Sequence, residues 1–150
     1  MTRDQKFMMR ALDEAKKAAA LGEAPVGAVI VRGDDVISAA HNTRESEKNA
    51  LHHAELLAID AACKELGGWR LIGCELFVTL EPCPMCSGAI INSRVERVVY
   101  GADDPKAGCA GSVCDIFAMP FNHRPEIAKG VCSDECSKIL CDFFKRLRGK

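Results

Sequence analysis

Apolar residues recur first at helical spacing. Phe7, Met8, Ala11, Leu12, Ala15 and Ala19 fall on one stripe. Thr2 stands where a helix N-cap belongs, and Gln5 completes a capping box with it. Gly22 is a natural stop. Beyond it the period shortens. Val26 to Val31 reads as a strand, Gly33-Asp34 as a turn, and Val36 to His41 as the returning strand of a hairpin. The polar stretch from Asn42 to Asn49 is a loop. A helix from about His53 to Leu66 is stopped by Gly67-Gly68.

Cys74 to Leu80 reads as a strand, broken by Pro82 to Pro84, and a helix runs on to about Asn92. Val95 to Tyr100 is a fourth strand. Residues 102–112, rich in Gly, Ala and Asp, form a loop, and Glu126 to Val131 supplies a fifth strand. The last helix starts near Ser133 and carries Cys136, Ile139, Leu140, Phe143, Phe144 and Leu147 on one face. Strands alternating with helices predict a layered α/β fold.

The 150 residues, without repeat or linker, are the size of a single domain spanning 1–150. Apolar residues are 48% and charged residues 27% of the chain, an ordinary globular balance that argues against disorder. The formal net charge is −1, so a nucleic-acid partner would be held by a local basic patch and not by the field of the whole molecule. No run of 18 apolar residues is present, which excludes a transmembrane helix. The start Met-Thr-Arg-Asp-Gln-Lys lacks a signal peptide's apolar core, so the chain is expected in the cytoplasm. There the nine cysteines would stay reduced, and most read as small buried hydrophobes.

Two segments stand apart: His53-Ala54-Glu55, and Pro82-Cys83-Pro84-Met85-Cys86. Each follows a strand and opens a helix. If the two strands are parallel, both helix starts lie on the carboxyl edge of the sheet, where open α/β sheets place their ligands. With Cys83 as N-cap and Pro84 as first helical residue, Cys86 falls at the third position and the two sulfurs converge. The positive helix end favours thiolates there. One His and two Cys give three zinc ligands and leave a fourth position for water, the pattern of a catalytic site. Zn2+, two thiolates and a neutral imidazole sum to zero charge. Such a site acidifies water less than an all-His site would, so a base is needed, and Glu55 is the candidate. Residues two apart point to different sides of a regular helix, so His53 and Glu55 share a site only at an irregular helix start.

Each half has a plainer reading. Cys-x-x-Cys also serves as a redox pair or as half of a structural zinc site, completed by His52 or another Cys. Glu55 alone would suit the positive end of a helix. Together, at this spacing, the segments favour catalytic zinc.

His-x-Glu followed by Pro-Cys-x-x-Cys resembles the zinc-dependent nucleobase deaminases of the cytidine deaminase-like superfamily. Wider stretches narrow the likeness: residues 21–28 (LGEAPVGA), 78–83 (VTLEPC), 98–106 (VVYGADDPK), 121–124 (FNHR) and 142–148 (DFFKRLR). Over nearly the whole chain it is similar to the bacterial tRNA-specific adenosine deaminases, which convert the wobble adenosine of an arginine tRNA anticodon to inosine. The resemblance implies a three-layer α/β/α fold around a mixed sheet of about five strands. It implies one zinc on His53, Cys83 and Cys86, with Glu55 as proton shuttle and a zinc-bound water as nucleophile. It implies that Asn42, Asp103, Asp104 and Lys106 bind substrate, that the partner is a tRNA anticodon stem-loop, and that the chain forms a homodimer.

Cysteines 109, 114, 132, 136 and 141 lie outside that site. His123 is either a phosphate contact or a loop hydrogen-bonder, and Phe144 either a base-stacking or a packing residue. The tail from Ser133 to Lys150, with five basic and three acidic residues, is a modest RNA patch or a solvated helix end. Two rival functions stay open: the same chemistry on a free purine such as guanine, and a non-enzymatic zinc or RNA-binding module.

Overall fold

The computed structural model describes residues 1–149. In chain order it comprises α1 (Arg3–Ala20), β1 (Gly27–Arg32), β2 (Asp35–His41), α2 (Ala54–Leu66), β3 (Cys74–Leu80), α3 (Pro84–Ser93), β4 (Arg97–Ala102), a 3-10 turn (Ile116–Ala118), β5 (Glu126–Lys129) and α4 (Ser133–Arg148). One five-stranded sheet runs β2-β1-β3-β4-β5. β1 is antiparallel to both β2 and β3, while β3, β4 and β5 are mutually parallel. β2 and β3 therefore point the same way with β1 between them, so α2 and α3 both start at one edge.

Alternation along the strands sends side chains to two cores. Ala28, Ile30, Leu76, Val78 and Val98 pack with α2 and α3 through Ala58, Ile59 and Ile90. Val29, Val31, Phe77 and Val99 pack with α1 and α4 through Phe7, Met8, Leu12 and Cys136. The result is the three-layer α/β/α arrangement. The Thr2–Gln5 capping box is present at the start of α1. Among the described residues no helix is long and apolar enough to cross a membrane.

Two strand boundaries and one helix face differ from expectation. The fourth strand begins at Arg97, because Val95 and Glu96 still turn out of α3: the Arg94 cap is left-handed and the Glu96 amide bonds back to Cys74 O at 3.0 Å. β5 ends at Lys129, because Gly130 turns the chain at φ +80°. Of the apolar face expected on α4, only Cys136 is fully buried. Ile139, Leu140 and Phe143 are half-buried, and Phe144 and Leu147 are exposed. Cys136, in the N-terminal half of the helix, packs directly on Gly101 of the sheet, where a Cβ would lie 2.3 Å from its Sγ.

α1 lies as close on β1. A Cβ at Gly27 would stand 2.0 Å from the Ala11 carbonyl oxygen and 2.5 Å from the Ala15 amide, both helix backbone. Gly27→Ala must push the helix off the strand, at a cost of about 3 kcal/mol, the upper end for overpacking. Thermal unfolding should show a midpoint lowered by roughly 6–12 °C in a domain of this size. An unchanged midpoint would mean that the helix yields without loss.

Candidate metal centre and active site

His53 and Cys83 are the N-caps of α2 and α3, both with extended backbone (ψ 152° and 175°), and neither side chain is spent on a capping hydrogen bond. That frees an imidazole and a thiol at two adjacent helix starts. Pro84 opens α3 and Cys86 follows in its first turn. His53 Nδ1 lies 3.5 Å from Cys83 Sγ and 3.6 Å from Cys86 Sγ. The three donor atoms fall within 4.8 Å of one another, a group able to hold a metal ion. With Zn–S near 2.3 Å and Zn–N near 2.0 Å, adjacent N and S corners of a tetrahedron stand about 3.5 Å apart. The observed spacings match that edge.

Charge points the same way. The hydrogen bond from Cys86, with the neighbouring His53, holds the Cys83 thiol down to about 4. The Cys83 sulfur and burial push Cys86 up, and the hydrogen bond to Cys83 raises His53. A thiolate and a second sulfur held beside an imidazole are a donor set that suits a divalent metal.

Glu55 sits in the first turn of α2 and is 4% exposed. Burial, chiefly, pushes its carboxyl up to about 7, and it lies within hydrogen-bonding reach of Cys86. His53 and Glu55 meet at one site because His53 is a cap and not part of the regular helix. His52 turns away and pairs with Glu47 at 2.9 Å.

His53, Glu55 and Cys83 line a cavity of about 220 Å3, together with Asn42, Arg44 and Asp104. Asn42 is buried. Its side-chain amide donates to Ala24 O at 3.2 Å and its Oδ1 accepts from the Arg44 amide at 3.1 Å. Asp104 Oδ1 accepts from the amides of Lys106 at 3.0 Å and Ala107 at 3.3 Å, so this carboxylate folds its own loop. Asp103 and Lys106 lie outside the cavity, on an adjoining groove of about 630 Å3 that also carries Phe144, Lys145 and Arg148. Phe144 is 42% exposed and packs edge-on against Phe143. His123 bonds to Val95 O at 2.7 Å, the loop role.

Arg44 and the fold-bearing part of Glu81 are not singled out by the sequence pattern. Arg44 follows Asn42 by two residues in a loop read only as polar. Glu81 had a signal: an acidic residue closes an apolar strand just before Pro82. It is buried and, although burial opposes it, hydrogen bonds from Ser112 and three amides hold its carboxyl below the usual range.

The fold and this site define a deaminase: residues 2–148 match the MafB19-like deaminase family, to which the chain belongs. Along 151 aligned residues the chain is 52% identical to the tRNA-specific adenosine deaminase of Bacillus subtilis, covering 100% of this chain and 94% of the relative. Within the deaminases, then, it belongs to the tRNA-specific adenosine deaminase family. A solved structure from work on A-to-I editing by tRNA:A34 deaminases at the wobble position superposes with a TM-score of 0.87 at 41% identity, covering 90% of this chain and 99% of that one. A Bacillus subtilis guanine deaminase is more distant, with a TM-score of 0.67 and 32% identity over 100% of this chain and 96% of that one.

Proposed function

We propose that this protein is a zinc-dependent hydrolase that converts the wobble adenosine of an arginine tRNA anticodon to inosine. The observation that carries the reading is the His53–Cys83–Cys86 triangle with buried Glu55 at its side, inside a cavity small enough for one base. Zinc, when bound, supplies a water acidified for attack. Glu55 takes a proton from the attacking water as it adds to C6 of an adenine flipped into the cavity. It passes that proton to the ring nitrogen, then takes the proton of the new C6 hydroxyl and hands it to the amino group, so the C6–N bond breaks, ammonia leaves and the C6 carbonyl forms. Asn42 and Asp104 line the route of the base, and Asp103 and Lys106 meet its neighbours in the RNA.

The groove beyond the cavity favours RNA over a free purine, since Lys106, Lys145 and Arg148 face it beside the exposed ring of Phe144. A cytoplasmic setting follows from the tRNA substrate proposed here. The homodimer rests on the family resemblance. Incubating zinc-loaded protein with an arginine-anticodon stem-loop should yield inosine and ammonia, while free adenosine and guanine stay untouched. Turnover of guanine with the stem-loop left intact would hand the function to the free-base reading. No ammonia from any of them would leave a binding module.

A further inference from the structure

The two loops that wall the cavity are each folded onto a buried carboxylate. Glu81, 2% exposed, accepts from the amides of Asp104 (3.0 Å), Ala110 (2.9 Å) and Ser112 (3.1 Å) and from the Ser112 hydroxyl. An ionised carboxylate offers about four acceptor sites. All four are turned inward, which leaves none for a substrate. Glu23, 1% exposed, holds the loop on the other side through three such bonds. It accepts from the amides of Glu45 (3.0 Å) and Ser46 (2.6 Å) and from the Ser46 hydroxyl (2.7 Å). A buried charge is costly unless its hydrogen bonds are made, so the amides are drawn to it and their loop takes the one shape that delivers them.

The loop closes on Glu81 very tightly. A Cβ at Gly108 would lie 2.3 Å from its carboxyl carbon, so glycine is required where the chain passes over it. Glu81 also ties the loop to the metal-binding strand end. Its own amide bonds Ala102 O at 2.9 Å, and the Cys109 amide bonds Pro82 O at 2.9 Å, one residue before Cys83.

We propose that Glu81 and Glu23 are positioning residues for the deamination, fixing the loop of Asp104 and Lys106 against the loop of Asn42 and Arg44 and so setting the aperture through which the nucleotide enters. The inference rests on the function proposed above. Glutamine keeps the size of Glu81 but turns an NH2 donor toward amide donors, so Glu81→Gln should free the loop.

Three measurements on the zinc-loaded variant test it. Zinc content should equal the parent's. The KM for the stem-loop should rise about tenfold or more, the scale of one lost charged hydrogen bond, with kcat changed much less. Amide hydrogen exchange at residues 104, 110 and 112 should quicken about tenfold or more for the same reason, with residues 28–31 unaffected. Glu23→Gln should give the same split, with faster exchange at residues 45 and 46. A KM within about twofold of the parent and unchanged loop exchange overturn the proposal, as does zinc loss on Glu81→Gln. If Glu81→Gln does not fold, Ser112→Ala removes one donor and keeps the charge. It should move KM and loop exchange the same way by less, and no movement overturns the proposal. Exchange is read without substrate, so a parent inactive on the stem-loop sinks the function while the loop result stands by itself.

Discussion

Replacing Glu55 with glutamine is expected to leave zinc and RNA bound and to reduce inosine formation by about 10⁴-fold or more. One positioned proton transfer is typically worth about 10²- to 10⁴-fold. Glu55 is asked for transfers at both addition and departure, which puts the loss at or above the top of that range. Its setting equips it for both: buried in the first turn of α2, with a carboxyl raised to about 7, it can hold or release a proton near neutrality. Glutamine fits the same space and moves no proton. Single-turnover assays with stem-loop RNA, beside metal analysis, decide the matter. A rate within about tenfold of the parent is below the usual general-base effect and would move the proton transfers to another group.

Cys86→Ala should strip the metal almost completely. Cys86 is fully buried, its sulfur stands 3.6 Å from His53 Nδ1, and removing it leaves two donors where a tetrahedral site needs three from the protein. Cys114→Ala is the control, since that thiol is exposed and outside the cluster. Metal analysis of the two purified variants should find near-total loss in the first and about one zinc per chain in the second. Equal metal in both would remove Cys86 from the ligand set.

Much of this site was legible because its chemistry is written locally. Cys83, Pro84 and Cys86 form one helix start, and a cap position that frees a thiol can be read from three residues. His53 and Glu55 were harder. Their spacing conflicts with a regular helix, and only the extended backbone at His53 (φ −76°, ψ 152°) resolves it. The hydrogen bonds of Glu81 reach 23, 29 and 31 residues along the chain, so nothing in its neighbourhood announces them. α4 misled for a related reason. Its periodicity is genuine, yet which turn touches the sheet depends on Gly101, a strand residue far away in sequence. Val95 reads as strand because a buried apolar residue looks alike in a strand and in the turn before it.

The His53–Cys83–Cys86 cluster sits at two helix starts, while Asn42, Arg44 and Asp104 reach the cavity from separate loops, and this division has an evolutionary consequence. Mutations that remodel the walls of the cavity need not disturb the reactive centre, so a lineage can change what it deaminates without passing through an inactive ancestor. A guanine deaminase at 32% identity on this framework is what such drift would leave behind.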